Sequence, residues 1–333
     1  MVKAYAALNA GDDLKPYEYE AKALEQNEIR IKVHSCGICH SDISAIDNSW
    51  GKSSYPMIAG HEIIGEVIET APNSSLHKIG DTVGLGWHSG YCNSCEYCDV
   101  GDHNFCSNTK KTVFSQYGGF AEEVVAEEVS VIPIPTKLNI EDAGPLLCGG
   151  ITVFTPIVEF GINKNHNVGV IGIGGLGHLA IQFYKALGCN VTAFTSSHDK
   201  TEFINSMGVD EVVSSTDQVI LKNMGAKFDL LISTVNVSLD WNLFLNTIKP
   251  RGRLHFVGAV LEPIKSSVFS LMAGRRSISG SPVGSPKNIK KMLDFCVEHN
   301  IKPIVEHFNF TDINNAIEKV RNNDVRFRAV LSW

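Results

Sequence analysis

No apolar run in this chain approaches the roughly 20 residues that a membrane-spanning helix needs, so a span is not expected. Positive charge is not in excess either: 29 Lys and Arg stand against 36 Asp and Glu, a formal net charge of −7. That balance lacks the footprint of a nucleic-acid-binding protein or of one drawn to anionic membranes. There is no block of like charge, no low-complexity stretch and no internal repeat, which argues against disordered tails and solenoids. The residues from Met1 to Leu8 run straight into Gly11, Asp12 and Asp13. They lack a long apolar core with a basic flank, so no secretory signal is expected and the cytosol is the default address.

What remains is an ordinary globular composition, 44% hydrophobic and 20% charged over 333 residues, which is enough for two domains. The nine cysteines are the unusual feature. In a reducing compartment they point to metal binding or catalysis rather than to disulfides.

The first third reads as short β-type runs at 29–33, 66–70, 82–85, 124–125 and 129–134, broken by Gly, Pro, Asn and Asp turns. Close spacing without helical patterns between them predicts an antiparallel, barrel-like domain. From about Ile151 strands and helices alternate: strand 167–171, helix 176–187 stopped by Gly188, strand 190–194, helix 199–207, strand 230–234, helix 243–248 and strand 253–257. That alternation predicts a parallel, doubly wound sheet. Helices at 286–298 and 312–322 and a strand at 328–332 follow. The expected organisation is a first domain over 1–149, to which 285–333 returns, with a nucleotide-binding domain inserted at 150–284.

Cys92, Cys95, Cys98 and Cys106 form C-x2-C-x2-C-x7-C. Four thiolates suit a closed, structural zinc site, because x2 spacing lets a tight turn bring two sulfurs onto one ion. Iron–sulfur ligation and two disulfides are the competing readings of the same spacing. Elsewhere Cys39, His61 and Cys148 are of the right types for a catalytic zinc: two thiolates, one imidazole and one exchangeable position, at which a carbonyl is polarised or an alcohol acidified. Separately, each of the three has a bland reading as a buried structural residue.

Gly172-Ile173-Gly174-Gly175-Leu176-Gly177 follows a predicted strand and opens a predicted helix, the context that gives G-x-G-x-x-G weight. The glycines allow a tight turn and close backbone approach, and the helix N-terminus offers N–H groups to a pyrophosphate. At the end of the next strand an acidic residue would hold the ribose of NAD. Thr195 occupies that place, followed by Ser196, Ser197 and Lys200. Three hydroxyls and a cation favour a 2′-phosphate, hence NADP(H). Asp199 argues the other way, and helix capping is an alternative role for the hydroxyls.

Taken in order, Cys-His-Ser-Asp at 39–42, Gly-His-Glu at 60–62, the four-cysteine lobe, Gly-Pro-Leu-Leu-Cys-Gly-Gly at 144–150 and the glycine turn resemble the zinc-containing medium-chain alcohol dehydrogenases, and within them the cinnamyl alcohol dehydrogenase branch. The likeness extends to Gly-Arg-Arg-Ser-Ile-Ser-Gly-Ser and to Asn-Asp-Val-Arg-Phe-Arg near the C-terminus. It implies a GroES-like catalytic domain beside a Rossmann domain, with two zinc ions per subunit. It also implies Cys39, rather than Cys36, as the first catalytic ligand, with His61 and Cys148, and with Glu62 able to approach the metal. By the same resemblance Asp42 orients the histidine, Ser41 handles the substrate proton, His40 lies near the pyrophosphate, and the backbone around Val257 and Val283 meets the nicotinamide amide. Ser44 departs from the pattern, since many relatives carry a histidine there, and the outer end of the proton path is left open. Trp50 and Trp87 could wall an aromatic pocket. The implied activity is hydride transfer between NADP(H) and a small alcohol or aldehyde substrate in a homodimer. The alternatives are an NAD-linked alcohol or polyol dehydrogenase and a non-catalytic zinc and nucleotide-binding protein.

Overall fold

Two sheets of opposite character organise the chain, and each belongs to one of the two units into which it divides. The structure, a computed structural model, describes every residue except Gln116, His198 and Asp199. The first unit comprises Met1–Ile151 and Val283–Trp333, the second Thr152–Pro282.

In the first unit the long strand Glu28–Ile38 is paired along both edges. Glu62–Thr70 runs antiparallel to it on one side, and Glu123–Glu127 and Arg328–Ser332 share the other. Thr82–Leu85 and Val131–Pro133 extend the sheet beyond Glu62–Thr70, and Val305–Asn309 lies parallel to Arg328–Ser332. The inward residues of these strands form one core with Phe120, Phe310 and the helix Ile313–Arg321. That helix buries Ile313, Ala316, Ile317 and Val320, the i, i+3, i+4, i+7 stripe of an amphipathic helix.

Two strands are longer than the alternation predicts: 29–33 extends to Ile38, and 66–70 begins at Glu62. The added residues, His34 to Ile38 and Glu62 to Gly65, carry little period-2 signal because most are buried on both faces. Those additions bring the chain to Cys39 and away from His61, since Gly37 pairs with Glu62 in the ladder.

The second unit is a six-stranded parallel sheet in the order Glu211–Ser214, Asn190–Thr195, Asn167–Ile171, Phe228–Ser233, Ile248–Phe256, Ser277–Gly280. Helices Gly177–Ala186, Thr201–Ser206, Gln218–Asn223, Trp241–Asn246 and Val268–Met272 connect the strands. This is the doubly wound order, with the change of direction beside Asn167–Ile171.

The expected helix at 243–248 instead ends at Asn246, and Ile248 opens the next strand. Thr247 turns the chain by donating its hydroxyl to Phe244 O at 2.7 Å. The expected helix at 199–207 is seen as Thr201–Ser206, and its first position lies outside the described residues. Helix Gly149–Phe160 has a weak local signal, because it starts on two glycines, contains Pro156 and is rich in β-branched residues.

Candidate active site

Cys39 ends the run of the long strand and caps the helix His40–Ile46. Asp42, in the first turn of that helix, reaches back so that its Oδ2 accepts the Cys39 N–H at 2.9 Å. Its other oxygen accepts the Gly60 N–H at 2.9 Å and lies 2.7 Å from His61 Nδ1. One fully buried carboxylate thereby ties together the two segments that carry Cys39 and His61. Cys148 arrives from the 3-10 turn Gly144–Leu147, which packs on the same strands.

The result is a buried group in which the ligand atoms of Cys39, His61, Glu62 and Cys148 all lie within 4.8 Å of one another. His61 Nε2 is 3.1 Å from Cys148 Sγ, which in turn is 3.9 Å from Cys39 Sγ. With Nδ1 committed to Asp42, the imidazole presents Nε2 to the centre of the group, the arrangement of a metal-binding histidine. Two sulfurs, one imidazole nitrogen and a nearby carboxylate fit zinc.

Without an ion, burial lowers the His61 pKa while the Asp42 charge and hydrogen bond outweigh it, raising it to about 10. The Cys148 thiol hydrogen-bonds to Cys39 and holds Cys39 well below the usual thiol range, against the effect of burial.

Glu62 forms a buried ion pair with Arg328, at the start of Arg328–Ser332. Arg328 sits in the Asn-Asp-Val-Arg-Phe-Arg stretch, but its role depends on a strand pairing far along the chain and has no local signal. Trp87 sets its ring edge-on to His61, with centroids 4.8 Å apart, and Trp50 meets Trp87 at 6.2 Å. Phe114 completes this aromatic group, 6.2 Å from Trp50 and 6.1 Å from Trp87. Sequence reasoning singles out the two tryptophans and misses Phe114. Ser41 is half-buried and His40 exposed on the first turn of the helix. Cys36 lies outside the group of four; its thiol is buried, donates to Gly37 O at 3.5 Å, and has its pKa pushed well up by burial.

Cys92, Cys95, Cys98 and Cys106 form the second such group, again within 4.8 Å. Their sulfurs stand 3.4 Å (Cys106–Cys92), 3.6 Å (Cys95–Cys98) and 4.0 Å (Cys92–Cys98) apart. A disulfide would require about 2.05 Å. All nine cysteines are free. Separations near 4 Å are those of thiolates on a tetrahedral ion with bonds of about 2.3 Å, so the lobe fits zinc.

In the second unit Gly172 follows the strand Asn167–Ile171 with a φ of +88°, a conformation open to glycine. A Cβ on Gly177 would stand 2.0 Å from Gly172 O, so the helix Gly177–Ala186 can approach the turn only with glycine there. Thr234, which sequence reasoning misses, latches the turn by donating to Gly172 O at 2.7 Å. No side chain caps the helix at Leu176, and around Gly174 a Cβ would meet nothing within 4 Å. Gly175 completes this turn, which offers backbone N–H groups to a phosphate.

Thr195 closes the strand Asn190–Thr195, and its hydroxyl accepts the Ser197 N–H at 3.1 Å. Ser196 is exposed, Ser197 is half-buried, and Lys200 is half-buried at the start of the next helix. His198 and Asp199 lie outside the described residues. Val257 donates its N–H to Ser233 O at 2.9 Å; Val283 belongs to the first unit.

Residues 25–136 match the alcohol dehydrogenase GroES-like domain and residues 175–298 the zinc-binding dehydrogenase domain. The chain is 50% identical over 332 residues to aldehyde reductase AdhA of Synechocystis, covering 100% of this chain and 99% of that protein. A cinnamyl alcohol dehydrogenase of Sorghum bicolor superimposes with a TM-score of 0.95 at 34% identity, covering 99% of this chain and 97% of that one. The Helicobacter pylori cinnamyl alcohol dehydrogenase, solved in complex with NADP(H), gives 0.92 at 30% identity over 99% and 97% of the two chains.

Proposed function

The chain belongs to the zinc-binding alcohol dehydrogenases, and from that premise we propose that it reduces aromatic and unsaturated aldehydes to primary alcohols with NADPH. The observation that carries the site assignment is the Asp42–His61 pair, which aims Nε2 at two cysteine sulfurs. Cys39, His61 and Cys148 hold the catalytic zinc, and Cys92, Cys95, Cys98 and Cys106 hold a structural one. When bound, the catalytic zinc acts as a Lewis acid on a carbonyl or alcohol oxygen. Arg328 neutralises Glu62 and so leaves two thiolate charges to balance the cation. Ser41 Oγ hydrogen-bonds the substrate oxygen and relays to it the proton it gains on reduction, drawn ultimately from water. The ring edges of Trp50, Trp87 and Phe114 suit flat, unsaturated substrates.

NADPH supplies the hydride. Its pyrophosphate sits on the Gly172–Gly177 turn, and its 2′-phosphate is taken by the Thr195, Ser196 and Ser197 hydroxyls with Lys200. The backbone at Val257 takes the carboxamide. The nucleotide reading is supported by the absence of a carboxylate at positions 195–197.

Assembly as a homodimer is supported by the edge strand Ser277–Gly280 and the helix Val268–Met272 before it, where Val268 is 66%, Phe269 81% and Met272 67% exposed. Two copies paired along such an edge would continue the sheet and cover the apolar residues. Nine free cysteines suit a reducing compartment such as the cytosol. No described helix is long and apolar enough to cross a membrane.

The test is NADPH and NADH oxidation with cinnamaldehyde, repeated on Cys39→Ala. We expect turnover with NADPH to exceed that with NADH by at least about tenfold, consistent with one or more charge-assisted hydrogen bonds, and to vanish in the variant. Retained turnover in the variant would refute the metal-site reading, and equal rates with NADH would refute the cofactor reading.

A further inference from the structure

His255, in the strand Ile248–Phe256, is 1% exposed, and both of its ring nitrogens meet serine hydroxyls. Nδ1 lies 2.9 Å from Ser279 Oγ and Nε2 lies 2.9 Å from Ser281 Oγ. Ser279 is part of the edge strand; Ser281 follows it and lines a shallow recess formed by residues 256–259 and 280–282. That recess is at the carboxyl end of the sheet, where doubly wound folds bind their ligands.

The recess is also joined to the phosphate-binding turn. A Cβ on Gly258 would stand 2.1 Å from Val235 O and 2.7 Å from the Thr234 carbonyl carbon, so the two backbones are in close contact there. Thr234 is the residue that latches Gly172 O. A dinucleotide whose pyrophosphate lies on the turn therefore has this recess within reach of its other end.

The imidazole is held in a defined state. Burial, with a smaller push from Arg253, lowers its pKa to about 4, so it is neutral at physiological pH. The Phe160 ring stands edge-on to it at 5.1 Å, and the Arg253 guanidinium covers Phe160 at 4.1 Å. A neutral imidazole has one donor and one acceptor. One serine must donate to it and the other must accept from it, according to the tautomer of the ring. In either case the Ser281 hydroxyl keeps hydrogen-bonding capacity that its bond to the ring does not use, which a primary carboxamide can meet because it both donates and accepts.

We propose that His255 is a positioning residue for the nicotinamide carboxamide of the cofactor, acting through the Ser281 hydroxyl. The proposal rests on the reading of the second unit as the NADPH site. It is tested by measuring the dissociation constants of NADPH and of adenosine 2′,5′-bisphosphate, which lacks the nicotinamide, on the full-length zinc-loaded protein. His255→Phe is expected to weaken NADPH about tenfold, the loss of one oriented hydrogen bond, and to leave the bisphosphate unchanged. Ser281→Ala should do the same, and His255→Phe should add less than about twofold in the Ser281→Ala background, as coupled residues do. His255→Gln, which retains a donor and an acceptor, should recover part of the loss.

Equal weakening of both ligands by His255→Phe, or none for NADPH, would overturn the positioning role. Ala259→Trp, which fills the recess, separates that failure from failure of the site itself. If it abolishes NADPH binding while the bisphosphate still binds, the recess takes the nicotinamide whatever His255 does. If NADPH binds Ala259→Trp as it binds the wild type, the placement of the nicotinamide is wrong and the proposal falls with it.

Discussion

Asp42 Oδ1 lies 2.7 Å from His61 Nδ1, and neither side chain has any solvent exposure. The same carboxylate accepts the Cys39 and Gly60 backbone N–H groups, so it fixes the backbone on which both residues stand as well as the histidine ring. Asp42→Asn keeps the shape but removes the charge that favours Nδ1 protonation. Zinc affinity at the catalytic site should fall about 10–100-fold, the usual cost of losing an outer-shell partner. Titration of the stripped protein with zinc against a competing chelator checks this, and an unchanged affinity would show that the carboxylate does not orient the ligand.

The lobe carrying Cys92, Cys95, Cys98 and Cys106 has a small apolar cluster of its own, built from Tyr91, Cys98 and Cys106 with little else around them. Its order should therefore depend on the ion. Cys98→Ser should lower the bound zinc from about two per chain to about one, as expected when one four-thiolate site is lost. It should also make the lobe the first place cut by a protease, while the other site keeps its metal. Mass spectrometry of the native protein gives the stoichiometry directly.

Cofactor choice should turn on the end of the strand Asn190–Thr195. A carboxylate introduced by Ser196→Asp would repel a 2′-phosphate and could hold the ribose hydroxyls of NADH. The ratio of kcat/KM for NADPH over NADH should drop about 10–100-fold, in the range set by losing or opposing one charge-assisted hydrogen bond. Lys200→Ala should lower the same ratio by less, and a ratio that stays constant in both would move the phosphate site elsewhere.

His178, buried in the helix Gly177–Ala186, has its pKa lowered to about 4, chiefly by burial and against hydrogen bonds to the Gly174 and Gly175 backbone. Its pKa in the unfolded chain is about 6.5. Between those values the unfolded chain binds more protons than the folded one. The stability associated with the neutral imidazole is therefore complete above about pH 6.5 and is lost as pH falls toward 4, by at most about 1.4 kcal/mol per pH unit. Urea unfolding at pH 7, 6 and 5 should show a shallower loss in His178→Gln than in the wild type, the metal sites being common to both. Parallel slopes would mean that His178 is not the group that titrates.

Much of the nucleotide-binding unit is legible in the sequence because its signals are local. The strand Asn167–Ile171, the glycine turn and the helix after it lie within about two dozen residues, and their periodicity and glycine placement depend on immediate neighbours. Helix Pro286–His299 is equally plain, with Ser285 as its cap, Pro286 in its first turn and Asn300 in the left-handed region at its end. Helix His40–Ile46 is not, although its cap, Cys39, belongs to a group that could hold a metal ion and its first turn carries Asp42. It is short and its capping residue is a cysteine, so the sequence there reads as chemistry rather than as a helix start.

By itself the sequence determined which side chains were available to each site. It supplied four closely spaced cysteines, a histidine and cysteines of the types that suit a second metal, a glycine turn of the kind that suits phosphate, and hydroxyls rather than a carboxylate at 195–197. Spacing and side-chain chemistry are properties of the chain and survive without a fold. Only the tertiary structure decided which distant groups meet. It set Cys148 against His61 across 87 residues, Arg328 against Glu62, Phe114 beside the tryptophans, and Ser279 and Ser281 on either side of His255. Those meetings follow from strand register and from what must be buried or paired, and no local pattern records them.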